Sequence, residues 1–219
     1  MPNLRHPDMS RSLRTLATRP GASASEARHR NEALAMLASE PLTAPAFMYR
    51  ILPARIAGGD MIEVGNAVLV APVIAGEPGN LLALAAAACT LGTPLQERIS
   101  RLFATRRRSL ALALDAIGNE LLFRLADRVT AAIGRDARRE GMGMGMEVSP
   151  GDPGLALDQQ ATVLALAGSR CDHIAVTGAG MLAPVQSLSM VVTLGHNLRR
   201  RSAAARCKAC PSRDRCTVN

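Results

Sequence analysis

The sequence predicts an α+β fold, with a mixed or antiparallel sheet and several helices. Three observations point there. A hairpin signature, MIEVGNAVLV, occupies residues 61–70. A long apolar stripe at helical spacing follows in the middle of the chain, and the last third mixes strand-like alternation with a short helical run. With 219 residues, 48% of them hydrophobic, the chain can bury one large core or two small ones.

Each element has its own justification. Residues 1–25 lack periodicity and are expected to be a disordered N-terminal tail; residues 26–198 make the folded domain, and 199–219 a basic, cysteine-rich C-terminal segment. A helix is expected from Glu26 to about Ser39, closed by Pro41. Met61–Val64 and Ala67–Val73 are β-prone, with Gly65-Asn66 as their turn. Asn80 is placed to cap a helix over LLALAAAACTL that stops at Gly92. Thr93, Pro94 and Gln96 form a capping-box start for the next helix, with proline at its first position. Leu110, Leu114, Ile117, Leu121, Leu125 and Val129 fall three or four residues apart, one buried stripe of a long helix. Gly118 within it costs about 1 kcal/mol relative to alanine, which suits a close crossing. Asp115 and Glu120 on the same helix are expected to be solvated. After Gly141, GMGMGMEVSPGDPG alternates and then turns. LDQQATVLALAG reads as a helix capped by Asp158 and stopped at Gly168, and HIAVTG and VQSLSMVVTLG read as strands around a Gly- and Pro-rich loop. No internal repeat is visible.

The formal net charge is +8, and Lys208 is the only lysine. A bias this complete reflects genome composition more than recognition, although a positive balance favours an acidic partner surface or an anionic ligand. Three Phe, one Tyr and no Trp leave almost no aromatic platform for stacking bases, so nucleic acid is not the expected partner. No apolar run reaches the roughly 18–20 residues that cross a bilayer, and the N-terminus has no apolar core of a secretory signal. The expected location is the cytoplasm, with no membrane association. Five cysteines, an odd number, in a reducing compartment point to metal or redox chemistry rather than disulfides. TGAGM lacks the spacing of a dinucleotide fingerprint. GMGMGM either lets the backbone approach a ligand or serves as a flexible connection. No nucleophile–base pair stands out, and no catalytic residue is assigned.

The second half of the chain carries a family resemblance. MEVSPGDPGLALDQQATVLALAG followed by HIAVTGAGMLAPVQSLSMVVTLG resembles the C-terminal activation region of vitamin B12-dependent methionine synthase, and more closely its small free-standing relatives. The shared order is a strand, the turn Ser149-Pro150-Gly151, a helix bearing Gln160, then a strand and Pro184 with Ser187 and Ser189. AAAACTLGTPLQERI resembles the helix that precedes the long helix of the family. The resemblance spans about residues 27–216, and several free-standing members end in a cysteine cluster. It implies a C-shaped α+β domain that binds S-adenosylmethionine and presents its methyl group to a cobalamin in the inactive cob(II) state. Reduction by one electron, trapped by methylation, then restores methylcobalamin.

The sequence departs from the family in the binding turn. The arginine position that holds the methionyl carboxylate in the family matches Glu147, and the tyrosine position matches Asp152. Arginine forks a carboxylate, whereas glutamate repels it. The two acidic replacements argue against ordinary S-adenosylmethionine binding, leaving the backbone of Ser149 and Gly151 as ligand contacts.

The sharpest local signal is Cys207, Cys210 and Cys216, spaced C-x2-C-x5-C. Two thiolates so spaced reach one metal centre through a tight turn, and the spacer beginning at Pro211 can bring the third around. Iron–sulfur clusters are usually held by four cysteines. Cys171, beside an expected strand, is the preferred fourth ligand, and Cys89, in an expected apolar helix, the alternative. The expected cofactor is a 4Fe-4S cluster. Zinc in a Cys3His set completed by His196 or His173 is the rival, and three thiols on a basic tail the plain alternative. His173 otherwise reads as a strand-edge residue.

Together these features predict an accessory protein for reductive reactivation of a cobalamin methyltransferase. Its C-terminal iron–sulfur cluster would relay an electron from a donor protein. The alternatives are a non-catalytic interaction module with a structural zinc or iron–sulfur staple, and a zinc-bearing nucleic-acid binder.

Overall fold

The computed structural model describes residues 4–16, 23–77, 79–168 and 173–199. Its elements in order are α1 (Ser10–Arg14), α2 (Ala24–Ser39), β1 (Ala46–Gly58), β2 (Met61–Val64), β3 (Ala67–Val70), α3 (Pro72–Ala75), β4 (Asn80–Thr90), α4 (Thr93–Ala104), α5 (Arg108–Arg139), β5 (Gly143–Val148), α6 (Gln160–Gly168), β6 (Ala175–Val176), β7 (Leu182–Ala183) and β8 (Ser187–His196). Six strands form one sheet in the order β3-β2-β1-β4-β8-β5, and β6 and β7 make a separate antiparallel ribbon. β1–β2, β2–β3 and β5–β8 pair antiparallel. The α+β class is as expected. Among the described residues no helix is long and apolar enough to cross a membrane.

The chain divides into two compact units. One comprises Met1–Met48, Ala88–Val129 and Gly168–Leu188, the other Tyr49–Ala87, Thr130–Ala167 and Ser189–Asn219.

The first unit is built on α5. Leu110, Leu114, Ile117, Leu121, Leu125 and Val129 are each at most 2% exposed, so the expected stripe is its core face. Gly118 meets its neighbours closely: a Cβ there would lie 2.9 Å from Leu95 Cδ2 and 3.3 Å from Gln186 Cγ. α2 opens with a capping box, in which the Ser23 hydroxyl accepts from the Glu26 amide and the Glu26 carboxylate accepts from the Ser23 amide. Two expectations for α5 fail. Glu120 forms a bidentate pair with Arg30 at 3.0 and 2.7 Å, with side chains 13% and 10% exposed. Asp115 accepts from Gln186 Nε2 at 2.7 Å. A helix surface that is covered turns its charged residues inward, and they then require partners.

Residues 4–16, where a tail without structure was expected, are tied down. Arg5 and Phe47 exchange two backbone hydrogen bonds of 2.9 Å. Met9 and Leu16 are buried, and Arg124 and Arg128 donate to the carbonyls of Ser12 and Asp8, each at 2.7 Å. α1 is only five residues long, too short to display a period. Side chains distant in sequence fix it.

The second unit holds the hairpin as expected, β2 and β3 joined through Gly65, whose φ is +59°. β3 ends at Val70 rather than Val73, because Pro72 opens the one-turn α3. Ile62, Val64, Leu69, Ile74, Ile133, Val163, Val191, Val192 and Leu194 form its buried core.

β4 is the main correction. NLLALAAAACT is a strand, not a helix, and Ala83–Thr90 are all buried. It lies between β1 and β8 in the sheet. A strand covered on both faces shows no alternation, and a short continuous apolar run cannot be told from a buried helix by periodicity. Local caps differ too. Gly92, with φ +83°, occupies the N-cap of α4 and no side chain caps that helix; Gln96 Oε1 accepts from the Val185 amide instead. Asp158 lies within a 3-10 turn, Leu157–Gln159, that leads into α6 without a side-chain cap. α6 does end at Gly168, whose φ is +127°.

Candidate functional site

β5 brings Glu147 and Val148 opposite Val192 and Val191 of β8 and delivers the chain to the turn Ser149-Pro150-Gly151-Asp152. The Asp152 amide donates to the Ser149 carbonyl at 2.9 Å, and Gly151 has φ +97°. Proline in the second place and a glycine of positive φ in the third are the residues of a type II turn. Asp152 then closes the loop on itself. Its Oδ2 accepts from the Ser149 amide at 2.9 Å and its carbonyl accepts from the Leu155 amide at 3.0 Å. The Gly151 amide donates to the Leu155 carbonyl at 2.9 Å.

The amides of Ser149, Gly151 and Asp152 are therefore all engaged within the loop. The expectation that the backbone of Ser149 and Gly151 contacts a ligand meets an obstacle here, because no amide among the three is left to receive an anion. Asp152 and Gly151 are exposed; Glu147 and Ser149 are half-buried. Glu147 Oε2 accepts from the Thr130 hydroxyl at 3.2 Å. The side chains of Glu147 and Asp152 give the turn two carboxylates.

Below the turn two buried contacts fix the strand. Gln160 Nε2 donates to Ser189 Oγ at 2.5 Å, joining two residues of the family-like pattern on α6 and β8. Thr193 Oγ1 accepts from the Met146 amide at 2.7 Å and donates to Glu77 Oε2 at 2.8 Å. Thr193 is fully buried and Glu77 is 8% exposed. The β5–β8 register shifts between Met144 and Glu147, where the Thr193 side chain takes up the Met146 amide. GMGMGM acquires its reason here. A Cβ on Gly145 would lie 2.6 Å from Glu77 Oε1, and one on Gly143 3.3 Å from the Gly195 carbonyl oxygen. These glycines admit neighbouring protein atoms. No sequence signal marked Glu77 or Thr193.

Cys207, Cys210, Cys216 and Cys171 lie outside the described residues. Cys89 is fully buried in β4, and His173 and His196 are exposed. Among the described residues no three His, Cys, Asp or Glu side chains gather as a metal site.

No family model and no curated protein sequence matches the chain. Solved structures do. The crystal structure of the MetH reactivation domain bound to AdoHcy aligns with a TM-score of 0.60 and 15% identity, covering 92% of this chain and 81% of that one. In fold, this chain is similar to the MetH reactivation domain.

Proposed function

We propose that the protein is an accessory factor that assists reductive reactivation of a cobalamin methyltransferase. The observation that carries this reading is the likeness of fold to the MetH reactivation domain over 92% of the chain. The order of sequence features supports it: strand, Ser-Pro-Gly turn, the helix with Gln160, then Pro184, Ser187 and Ser189. The partner is a cobalamin-binding methyltransferase protein, and the electron comes from a donor protein.

Cys207, Cys210, Cys216 and Cys171 would hold a 4Fe-4S cluster, since four thiolates are a complete donor set for one. When bound, it would supply one-electron transfer. The arginines at positions 199–201, 206, 213 and 215 would offset the negative charge of a thiolate-ligated cluster. S-adenosylmethionine is not assigned to this chain. Glu147 stands where an arginine would be needed, and Asp152 is committed to the turn through the Ser149 amide.

The test is purification of the full chain without oxygen, with iron, sulfide and zinc determined. The protein is then mixed with a cob(II)alamin-loaded methyltransferase, a methyl donor for that methyltransferase and a reductant while the cobalamin spectrum is followed. Stoichiometric iron and sulfide with faster loss of the cob(II)alamin band are expected. No effect on the cobalamin spectrum overturns the activation role, and zinc in place of iron overturns the cluster alone. Metal removal that lowers stability while leaving the cobalamin unaffected would favour an interaction module with a metal staple.

A further inference from the structure

The corner between α4 and α5 concentrates more positive charge than its ion pairs use. Arg98, Arg101, Arg106, Arg107 and Arg108 fall in a stretch whose nearest acidic residues along the chain are Glu97 and Asp115. Arg98 pairs with Glu40 and Arg107 with Glu32. Arg101, Arg106 and Arg108 are exposed and make no ion pair among the described residues.

One feature of this corner opposes folding. Arg108 opens the 32-residue α5, directly after Arg106 and Arg107, and the first turn holds no acidic residue. Cations at a helix N-terminus face the positive end of its dipole. Arg106, with φ +60°, closes α4: its amide donates to the Phe103 carbonyl at 3.1 Å and the Arg107 amide to the Leu102 carbonyl at 2.9 Å. Beside these cations stand two large apolar side chains, Phe103 in the last turn of α4, 43% exposed, and Leu112 on α5, 60% exposed. Leu112 follows Arg108 by four residues and so shares its helix face.

We infer that this corner docks an acidic protein surface. Arg101, Arg106 and Arg108 pair with its carboxylates, and Phe103 and Leu112 enter apolar recesses among them. Arginine and aromatic side chains are among the enriched residues of protein interfaces. A nucleic acid would match the charge and leave both apolar side chains in water. A bilayer would need a continuous apolar face, which two side chains on separate helices do not make. This inference does not depend on the cobalamin role, since it names only the chemistry of a partner.

The experiment uses the full chain and a fluorescent peptide of glutamates interspersed with leucines; a peptide with glutamine for glutamate is the control. Arg106→Glu with Arg108→Glu is expected to weaken binding of the acidic peptide by about tenfold or more, because like charges then oppose. Phe103→Ser with Leu112→Ser is expected to weaken it by about threefold or more, through loss of the apolar contacts. The thermal midpoint of the charge-reversed protein should stay level or rise, since acids suit a helix N-terminus. Unchanged binding in the charge-reversed protein overturns the inference, as does weakened binding that tracks a fall in midpoint. Equal affinity for the control peptide also overturns it. So does tighter binding to duplex DNA or phosphatidylserine vesicles that is lost in the same variant.

Discussion

Thr193→Val isolates the contact that holds the β5 bulge in place. The Thr193 hydroxyl accepts from the Met146 amide at 2.7 Å and donates a hydrogen bond to Glu77 Oε2 at 2.8 Å, in a site where Thr193 is 0% and Glu77 8% exposed. Valine has nearly the same shape, so the change removes two hydrogen bonds and little packing. A buried amide that loses its partner costs about 1–3 kcal/mol, and the variant should lose about that much through the Met146 amide. Thr193→Ser keeps the hydroxyl and gives up one buried methyl, a loss of about 1 kcal/mol. The contrast between the two decides the matter. The chain has no Trp and one Tyr, so urea unfolding is best followed by far-ultraviolet circular dichroism. A valine variant no less stable than the serine variant would refute the reasoning, since Thr193 would then be mere filling.

Three further outcomes are expected. Arg30→Ala or Glu120→Ala should each cost about 1.5–3 kcal/mol by removing the charged hydrogen bonds of this nearly buried pair, and the double variant should lose clearly less than their sum; additivity in a denaturation cycle would deny the coupling. Gly118→Val should destabilise by about 1–3 kcal/mol through contact with the buried Leu95 and Gln186, and Gly118→Ala by less, since alanine regains about 1 kcal/mol of helix propensity; equal midpoints for wild type and the valine variant would count against the close crossing. The Ser23 amide, and then its hydroxyl, hold the Glu26 carboxyl below its ordinary value of 4.5. The unfolded chain therefore takes up that proton first as the pH falls, and the contribution of Glu26 is complete above 4.5 and lost on further acidification. In acid the thermal midpoint of wild type should drop more steeply than that of Glu26→Gln, and parallel pH profiles would contradict this.

Elements that announced themselves in the sequence did so through local chemistry. α5 was legible because one face of a long helix must repeat at three and four residues, and the β2–β3 hairpin because Gly65-Asn66 leaves few alternatives to a turn. β4 was hidden for the opposite reason. Its alanines favour a helix when taken alone, yet small side chains also let a strand be covered on both faces, and neighbours supplied by β1 and β8 decide between the two. The partners of Glu120 and Asp115, Arg30 and Gln186, stand 90 and 71 residues away. No window along the chain contains both members of either pair. The same holds for Glu77 and Thr193, 116 residues apart.

The candidate turn shows what comparison of sequence patterns can and cannot read. The resemblance sets up an expectation of arginine and tyrosine at the positions where Glu147 and Asp152 stand. It does not reveal what the replacements do. In the structure Asp152 is a scaffold residue: its carboxylate satisfies the Ser149 amide, and its carbonyl satisfies Leu155. Glu147 is likewise engaged, with the Thr130 hydroxyl. A loop whose amides are satisfied from within keeps its shape with no ligand present, so Asp152 stabilises the loop as well as altering its charge. Placing arginine at 147 alone would supply a guanidinium while leaving every amide of the turn occupied. Asp152→Asn tests the point, because an asparagine Oδ1 can still accept from the Ser149 amide while the negative charge is removed. If the scaffold role governs, Asp152→Asn should cost well under 1 kcal/mol and Asp152→Ala about 1–2 kcal/mol, the cost of a lost local hydrogen bond. Equal stability of the two variants in urea would mean that the loop holds its shape without this contact.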